Sequence, residues 1–108
     1  MGENRVQQKS FEFALSIVRL YKKLQARQEF IVSPQLLRSG TGIGVSVEEA
    51  QSELNQERYL DYWLTAARGA RETRYWLRLL QESKLADVDV SKEIALVDEL
   101  LHLLSHPD

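Results

Sequence analysis

The stretch of this 108-residue chain that looks most like a chemical site is RSGTGIGVSVEEA, from Arg38 to Ala50. Its glycines Gly40, Gly42 and Gly44 stand among hydroxyl side chains, as in loops whose backbone amides bind phosphate. Such loops follow a strand and have other glycine spacings. Here the preceding residues read SPQLLR, which is typical of a helix start. The sequence therefore disfavours a nucleotide loop and predicts a helix in which Gly40 and Gly44 share one face and allow close helix packing.

Acid–base and metal chemistry have weaker candidates. Glu49 and Glu53 are four residues apart, so they would share a helix face and could act as a pair. Di-metal sites in helical bundles use two Glu-x-x-His motifs, and this chain has that spacing once, at Glu99 and His102. The chain has no cysteine, which excludes cysteine-based metal and redox chemistry. An enzyme is thus the weakest interpretation, and we expect no catalytic residue, metal site or cofactor.

Arginines form the most distinctive charged pattern, within about a third of the circumference of a predicted helix. They are Arg68, Arg71, Arg74 and Arg78. One interpretation makes them a ridge that binds nucleic-acid phosphates. The other makes them structural partners of acids on neighbouring helices. Antiparallel helices would place Arg38 level with Glu72, and Arg74 level with Asp98 and Glu99, which favours the structural interpretation.

The same segment is rich in aromatic residues. They are Tyr59, Tyr62, Trp63, Tyr75 and Trp76. Adjacent residues such as Tyr62 and Trp63 cannot both face one core, so some of the five must face outward, as is common at protein–protein contacts. The last helix also has surplus leucines, Leu96, Leu100 and Leu103, which suggest a second buried face. We therefore predict that the five aromatics form a homo-oligomer interface; the alternative is a thick monomeric bundle with half-exposed aromatics.

Four helical segments must position these groups, at about residues 10–28, 34–52, 55–83 and 91–105. In the first, Phe13, Ile17 and Leu20 recur every three or four positions, and Ser10 is the expected N-cap. In the third, the predicted inner face begins with Leu60, Trp63, Leu64 and Ala67 and continues with Ala70, Leu77 and Leu80. The connections are short, so the sequence predicts one all-α domain, residues 1–108, folded as an antiparallel up-down four-helix bundle.

Composition restricts the class of protein further. The formal charge is −2 and the pI is about 5.7, unlike the strongly basic domains that usually bind nucleic acid. No run approaches the roughly 18 apolar residues of a membrane span, and the N-terminus lacks the apolar stretch of a secretory signal. We therefore expect a soluble cytoplasmic protein that does not engage a membrane.

Two motifs in combination resemble a known family. QLLRSGTGIGVSVEEAQ (35–51) and ARETRYWLRLLQES (70–83) are similar to small four-helix-bundle proteins encoded in intervening sequences of bacterial 23S rRNA genes, and FEFALSIVRLYKKLQ (11–25) resembles their first helix. Relatives of that family include the accessory variability proteins of diversity-generating retroelements, which form pentameric barrels and work with a reverse transcriptase and nucleic acid. The resemblance implies a homo-oligomer, with a pentamer as the suggested size, and a role around RNA. It supplies no catalytic residues.

The leading expectation is therefore a non-enzymatic, homo-oligomeric bundle that binds RNA or an RNA-handling protein. The alternative is a protein-interaction scaffold without nucleic-acid contact. The low pI favours this alternative, because the relatives that handle nucleic acid are basic.

Overall fold

The computed structural model of the protein describes the backbone of residues 2–105 and the side chains of residues 5–105. It contains four helices, α1 (Gly2–Ala26), α2 (Ser33–Ser52), α3 (Gln56–Ser83) and α4 (Ser91–Ser105). Each helix packs against the next along the chain, and α4 closes the bundle against α1. Within residues 2–105 there is no strand. The predicted all-α four-helix bundle is confirmed, in a molecule of 43 × 20 × 18 Å whose long axis is about the length of α3.

Helix α1 begins eight residues earlier than predicted, so Ser10 is not its N-cap. The apolar period continues upstream to Val6, which is fully packed in the core. Ser10 is buried inside the helix, where its hydroxyl donates a hydrogen bond to the carbonyl of Gln7 at 3.0 Å. The prediction failed because one buried valine and good helix formers extend the helix without any cap signal.

Helix α2 begins at Ser33, and the amide of Ser33 and those of the two residues before it are satisfied by Glu29 rather than by a serine cap. One carboxylate oxygen of Glu29 accepts hydrogen bonds from the amides of Ile31 and Val32, both at 2.9 Å, and the other accepts from Ser33 at 2.7 Å. Glu29 is only 4% exposed. A buried carboxylate at this position also interacts favourably with the helix dipole.

The inner face of α3 differs from the prediction. Leu60 and Leu64 are 51% and 61% exposed. The core positions of α3 are Ala66, Ala70, Thr73, Leu77 and Leu80, which include the predicted Ala70, Leu77 and Leu80. At 100° per residue, Leu60 and Leu64 lie about 120° and 160° from the centre of that stripe. The apolar pattern of the N-terminal half therefore belongs to an outer surface.

Candidate functional site

The glycines of α2 lie in a continuous helix, as predicted. The space available for a side chain differs from one glycine to the next. A Cβ atom at Gly40 would lie 2.9 Å from Cγ1 and 3.0 Å from Cγ2 of the buried Ile17 on α1. At Gly44 the nearest atom would be the carbonyl oxygen of Ser10, at 3.6 Å, which is ordinary contact. At Gly42 no atom lies within 4 Å. Of these three glycines, Gly40 is therefore the one at which close packing of α1 most clearly requires the absence of a side chain.

Two of the four ridge arginines are neutralised by acids. Arg74 donates from Nε to Oδ1 of Asp98 on α4 at 2.6 Å, which is one of the predicted helix-to-helix pairings. Arg78 pairs with Glu82 one turn along α3, at 3.0 Å. Arg68 and Arg71 are exposed and have no acidic partner among residues 5–105. The four arginines are therefore not a uniform cationic row.

The predicted pairing of Arg38 with Glu72 was wrong. Arg38 donates a hydrogen bond to Gln35 in its own helix, and Glu72 accepts one from Nε1 of Trp76 at 3.2 Å. Each of the two residues lies about 200° around its helix from a core residue two positions earlier, so both side chains point away from the bundle axis. Two residues at the same level of adjacent helices do not form an ion pair when both side chains face outward.

The five predicted interface aromatics are largely engaged within the subunit. Trp63 and Trp76 pack against the core, and Tyr59 and Tyr62 are half-buried. Tyr59 meets Trp63 edge-to-face with ring centroids 6.0 Å apart. Tyr75, which contacts Trp76 at 5.3 Å, is 59% exposed. Of the five, Tyr75 offers most of its surface to another molecule.

The large apolar side chains that face water on the helices form two surfaces, whereas Phe30, Ile31, Leu54 and Leu85 are exposed in the connections. The first, which we call the α1–α2 face, is made of Phe11, Leu15, Val18 and Val45. It borders a groove of about 230 Å³ lined by Phe11, Ala14 and Val45. The second, the α3 face, is made of Leu60, Leu64, Tyr75 and Leu79. Because α1 and α3 lie diagonally across the bundle, the two surfaces point in different directions.

The α1–α2 face was missed by the sequence prediction, although a signal for it exists. Phe11, Leu15 and Val18 follow a helical spacing of their own, on the side of α1 opposite to the core residues. By contrast, the surplus leucines of α4 do not form an outer face: Leu100 is fully buried, and Leu96 and Leu103 pack against the core.

Of the acidic candidates, Glu53 and Glu99 have structural partners, as does Glu48 beside the exposed Glu49. Glu48 accepts a hydrogen bond from Gln7 at 2.8 Å, and Glu53 pairs with Arg58 at 3.3 Å. A hydrogen bond from the amide of Asn55 lowers the pKa of the Glu53 carboxyl. Glu99 pairs with Lys9 across the α1–α4 seam. In the part of the chain that the structure describes, no three His, Asp or Glu side chains are grouped as metal ligands.

The sequence and the fold of the chain are similar to those of known proteins. The sequence model of the 23S rRNA-intervening sequence protein family matches residues 2–106. The chain belongs to this family. A similar solved structure is a protein of unknown function from the S23 ribosomal protein family of Bacteroides thetaiotaomicron VPI-5482. It shares 36% identity and a TM-score of 0.91, over 97% of this chain and 96% of that one.

These comparisons establish family and fold. No curated protein matches the chain. None of the described helices of this 23S rRNA-intervening sequence protein has the combined length and apolar character needed to cross a membrane.

Proposed function

We propose that this 23S rRNA-intervening sequence protein is a non-enzymatic, homo-oligomeric bundle of the bacterial cytoplasm that acts by binding RNA or an RNA-handling protein. The observation that carries the proposal is the presence of two exposed apolar surfaces, the α1–α2 face and the α3 face, on diagonally related helices. The description of the family, which ties it to 23S rRNA genes, supports RNA as the context.

Association of subunits follows from the energetics of these surfaces. Burying apolar area is worth about 25 cal/mol per Å², and monomeric proteins rarely expose large contiguous apolar patches. Two different surfaces that meet head to tail generate a heterologous interface, which closes into a ring when the rotation allows it. A pentamer is the ring size that the family resemblance suggests.

Measurement of mass in solution tests the oligomer. We expect light scattering at micromolar protein to give about five times the subunit mass of 12.5 kDa. Replacing Phe11 and Val45 with Ser should shift the mass toward that of one subunit. The matched control is Leu54→Ser, because Leu54 is 98% exposed in the α2–α3 connection and belongs to neither surface. A wild-type monomer under these conditions would contradict the oligomeric part of the proposal.

A second candidate function is a protein-interaction scaffold without nucleic acid. The pI of about 5.7 and the pairing of Arg74 and Arg78 with acids favour it. The ratio of absorbance at about 260 and 280 nm reveals co-purifying nucleic acid, and sequencing that RNA would identify the partner. Protein that carries no RNA and binds none at low salt supports the scaffold and removes the RNA part of the first proposal.

A further inference from the structure

Helix α1 carries a second row of cations, separate from the arginines of α3. Residues 13–28 contain four basic residues and no acid. Three of them, Arg19, Lys23 and Arg27, are spaced four residues apart, so each lies about 6 Å further along the helix and the row is about 12 Å long. The next acid in the sequence, Glu29, is buried, and its carboxylate accepts hydrogen bonds from the amides of Ile31, Val32 and Ser33. Among residues 5–105, the three cations of the row form no ion pair with an acid.

The row continues a groove between α1 and α4. Helix α4 has 15 residues against 25 in α1, and a groove of about 170 Å³ lies between them. Its charged lining residues are Lys9, Glu12, Arg19, Lys92 and Glu99. At one end Glu99 neutralises Lys9, with Nζ and Oε2 3.5 Å apart. At the other end Arg19 and Lys92 have no acidic partner among residues 5–105. Both acids of the lining, Glu12 and Glu99, therefore lie at the Lys9 end of the groove, and the end formed by Arg19 and Lys92 is cationic.

From this geometry we propose that the cationic end of the α1–α4 groove binds the phosphate backbone of RNA. The contacts would come from Arg19, Lys23, Arg27 and Lys92. Phosphates are bound by unpaired cations that release condensed counterions, and arginine adds a planar fork of donors. On α3, Arg74 and Arg78 already have carboxylate partners, which leaves two unpaired arginines there, Arg68 and Arg71, against four unpaired cations at the groove. This inference rests on the proposed RNA binding and gives it a site.

An extended chain fits the groove better than a membrane surface does. Arg19 and Lys92 line a concave seam, and Lys23 and Arg27 extend the row beyond it, whereas a flat bilayer would meet cations gathered around a loop tip. The exposed apolar residues at that end, Phe30 and Ile31, lie in the α1–α2 connection rather than in the seam. The lining of the groove contains none of the residues of the α1–α2 face or the α3 face.

Fluorescence anisotropy with a labelled 20-nucleotide RNA hairpin tests the site, across about 25–200 mM salt. The groove variant replaces all four residues with Gln, and the control variant is Arg68→Gln/Arg71→Gln. All six side chains are exposed, so the fold should persist, which circular dichroism checks. We expect the groove variant to bind at least about tenfold more weakly and with a salt slope smaller by about 3–4, while the control stays within about threefold of wild type.

The outcomes separate the inference from the proposed function. Unchanged RNA binding by the groove variant, or a loss confined to the control variant, would overturn the inference and leave RNA binding in place. Wild-type protein that binds no RNA at 25 mM salt would overturn both. Binding to vesicles with about 30% phosphatidylserine, lost in the groove variant and not matched by RNA binding, would assign the groove to lipid and overturn the inference.

Discussion

Replacing Gly40 with alanine should lower the free energy of unfolding, even though alanine is the better helix former. The added Cβ would lie 2.9 Å and 3.0 Å from the two γ carbons of Ile17. Ile17 is fully buried and β-branched, so it cannot rotate away without disturbing the core. Overpacking of this kind costs about 1–3 kcal/mol, whereas replacing a helical glycine with alanine gains about 1 kcal/mol. The expected net loss is about 0–2 kcal/mol.

Gly42→Ala is the matched control, two residues away in the same helix. No atom lies within 4 Å of the added methyl group, so only the gain in helix propensity remains, about 1 kcal/mol. The difference between the two variants, about 1–3 kcal/mol, therefore measures the overpacking at Gly40. Gly44→Ala should behave like Gly42→Ala, because its new contact at 3.6 Å is an ordinary one.

Urea unfolding followed by circular dichroism measures these differences. All variants must be compared at one protein concentration, because subunit association contributes to apparent stability. A double-mutant cycle with Ile17→Ala removes both γ carbons, so the two changes together should cost less than the sum of their separate costs. The reasoning is refuted if Gly40→Ala is as stable as Gly42→Ala, or if the cycle is additive within about 0.5 kcal/mol.

Three further predictions concern the connections between helices. Glu29→Gln removes a carboxylate that accepts three amide hydrogen bonds and should lower the unfolding free energy by about 1–3 kcal/mol; the exposed Glu49→Gln should change it little, and equal effects would contradict the capping role. Lys84→Gly should raise the unfolding free energy by up to about 1 kcal/mol, because Lys84 has a left-handed φ of 57°; a decrease in thermal stability would contradict this. Hydrogen bonds from the hydroxyl and amide of Ser91 lower the pKa of Asp89 in the folded state. On acidification, the carboxylate is therefore protonated at a higher pH in the unfolded state than in the folded state. The stability that this contributes is present above about pH 4 and is lost on acidification. Asp89→Asn should show a shallower loss below about pH 4, and identical acid profiles would argue against it.

The sequence predicted the bundle because its helices are separated by strong local signals. Asn55 accepts a hydrogen bond from the amide of Arg58 at 3.0 Å, and α3 begins at Gln56, within one residue of the predicted start. At the start of α4, the carboxylate of Asp89 likewise accepts hydrogen bonds from the amide and the hydroxyl of Ser91. The core residues Ile17 and Leu77 also follow from periodicity alone. Local signals of these kinds are readable without knowledge of the fold.

Other features depend on what lies across the bundle and could not be read from one helix. Leu60 is as apolar as Leu77, and only the position of α2 and α4 decides which one is buried. Glu29 resembles a surface acid until α2 brings three amides to its carboxylate. Whether Arg74 is free for a ligand likewise depends on Asp98, 24 residues away.

The turn formed by Glu29 also fixes the alignment between α1 and α2. Its hydrogen bonds reach residues at most four positions away, so the turn can form before any distant contact exists. That alignment sets Gly40 against Ile17 and Gly44 against Ser10. The register of the first helical hairpin is thus encoded in the five residues from Glu29 to Ser33. Inserting one residue there would leave both helices able to form, but it would shift the register of α2 so that Gly40 no longer lies against Ile17.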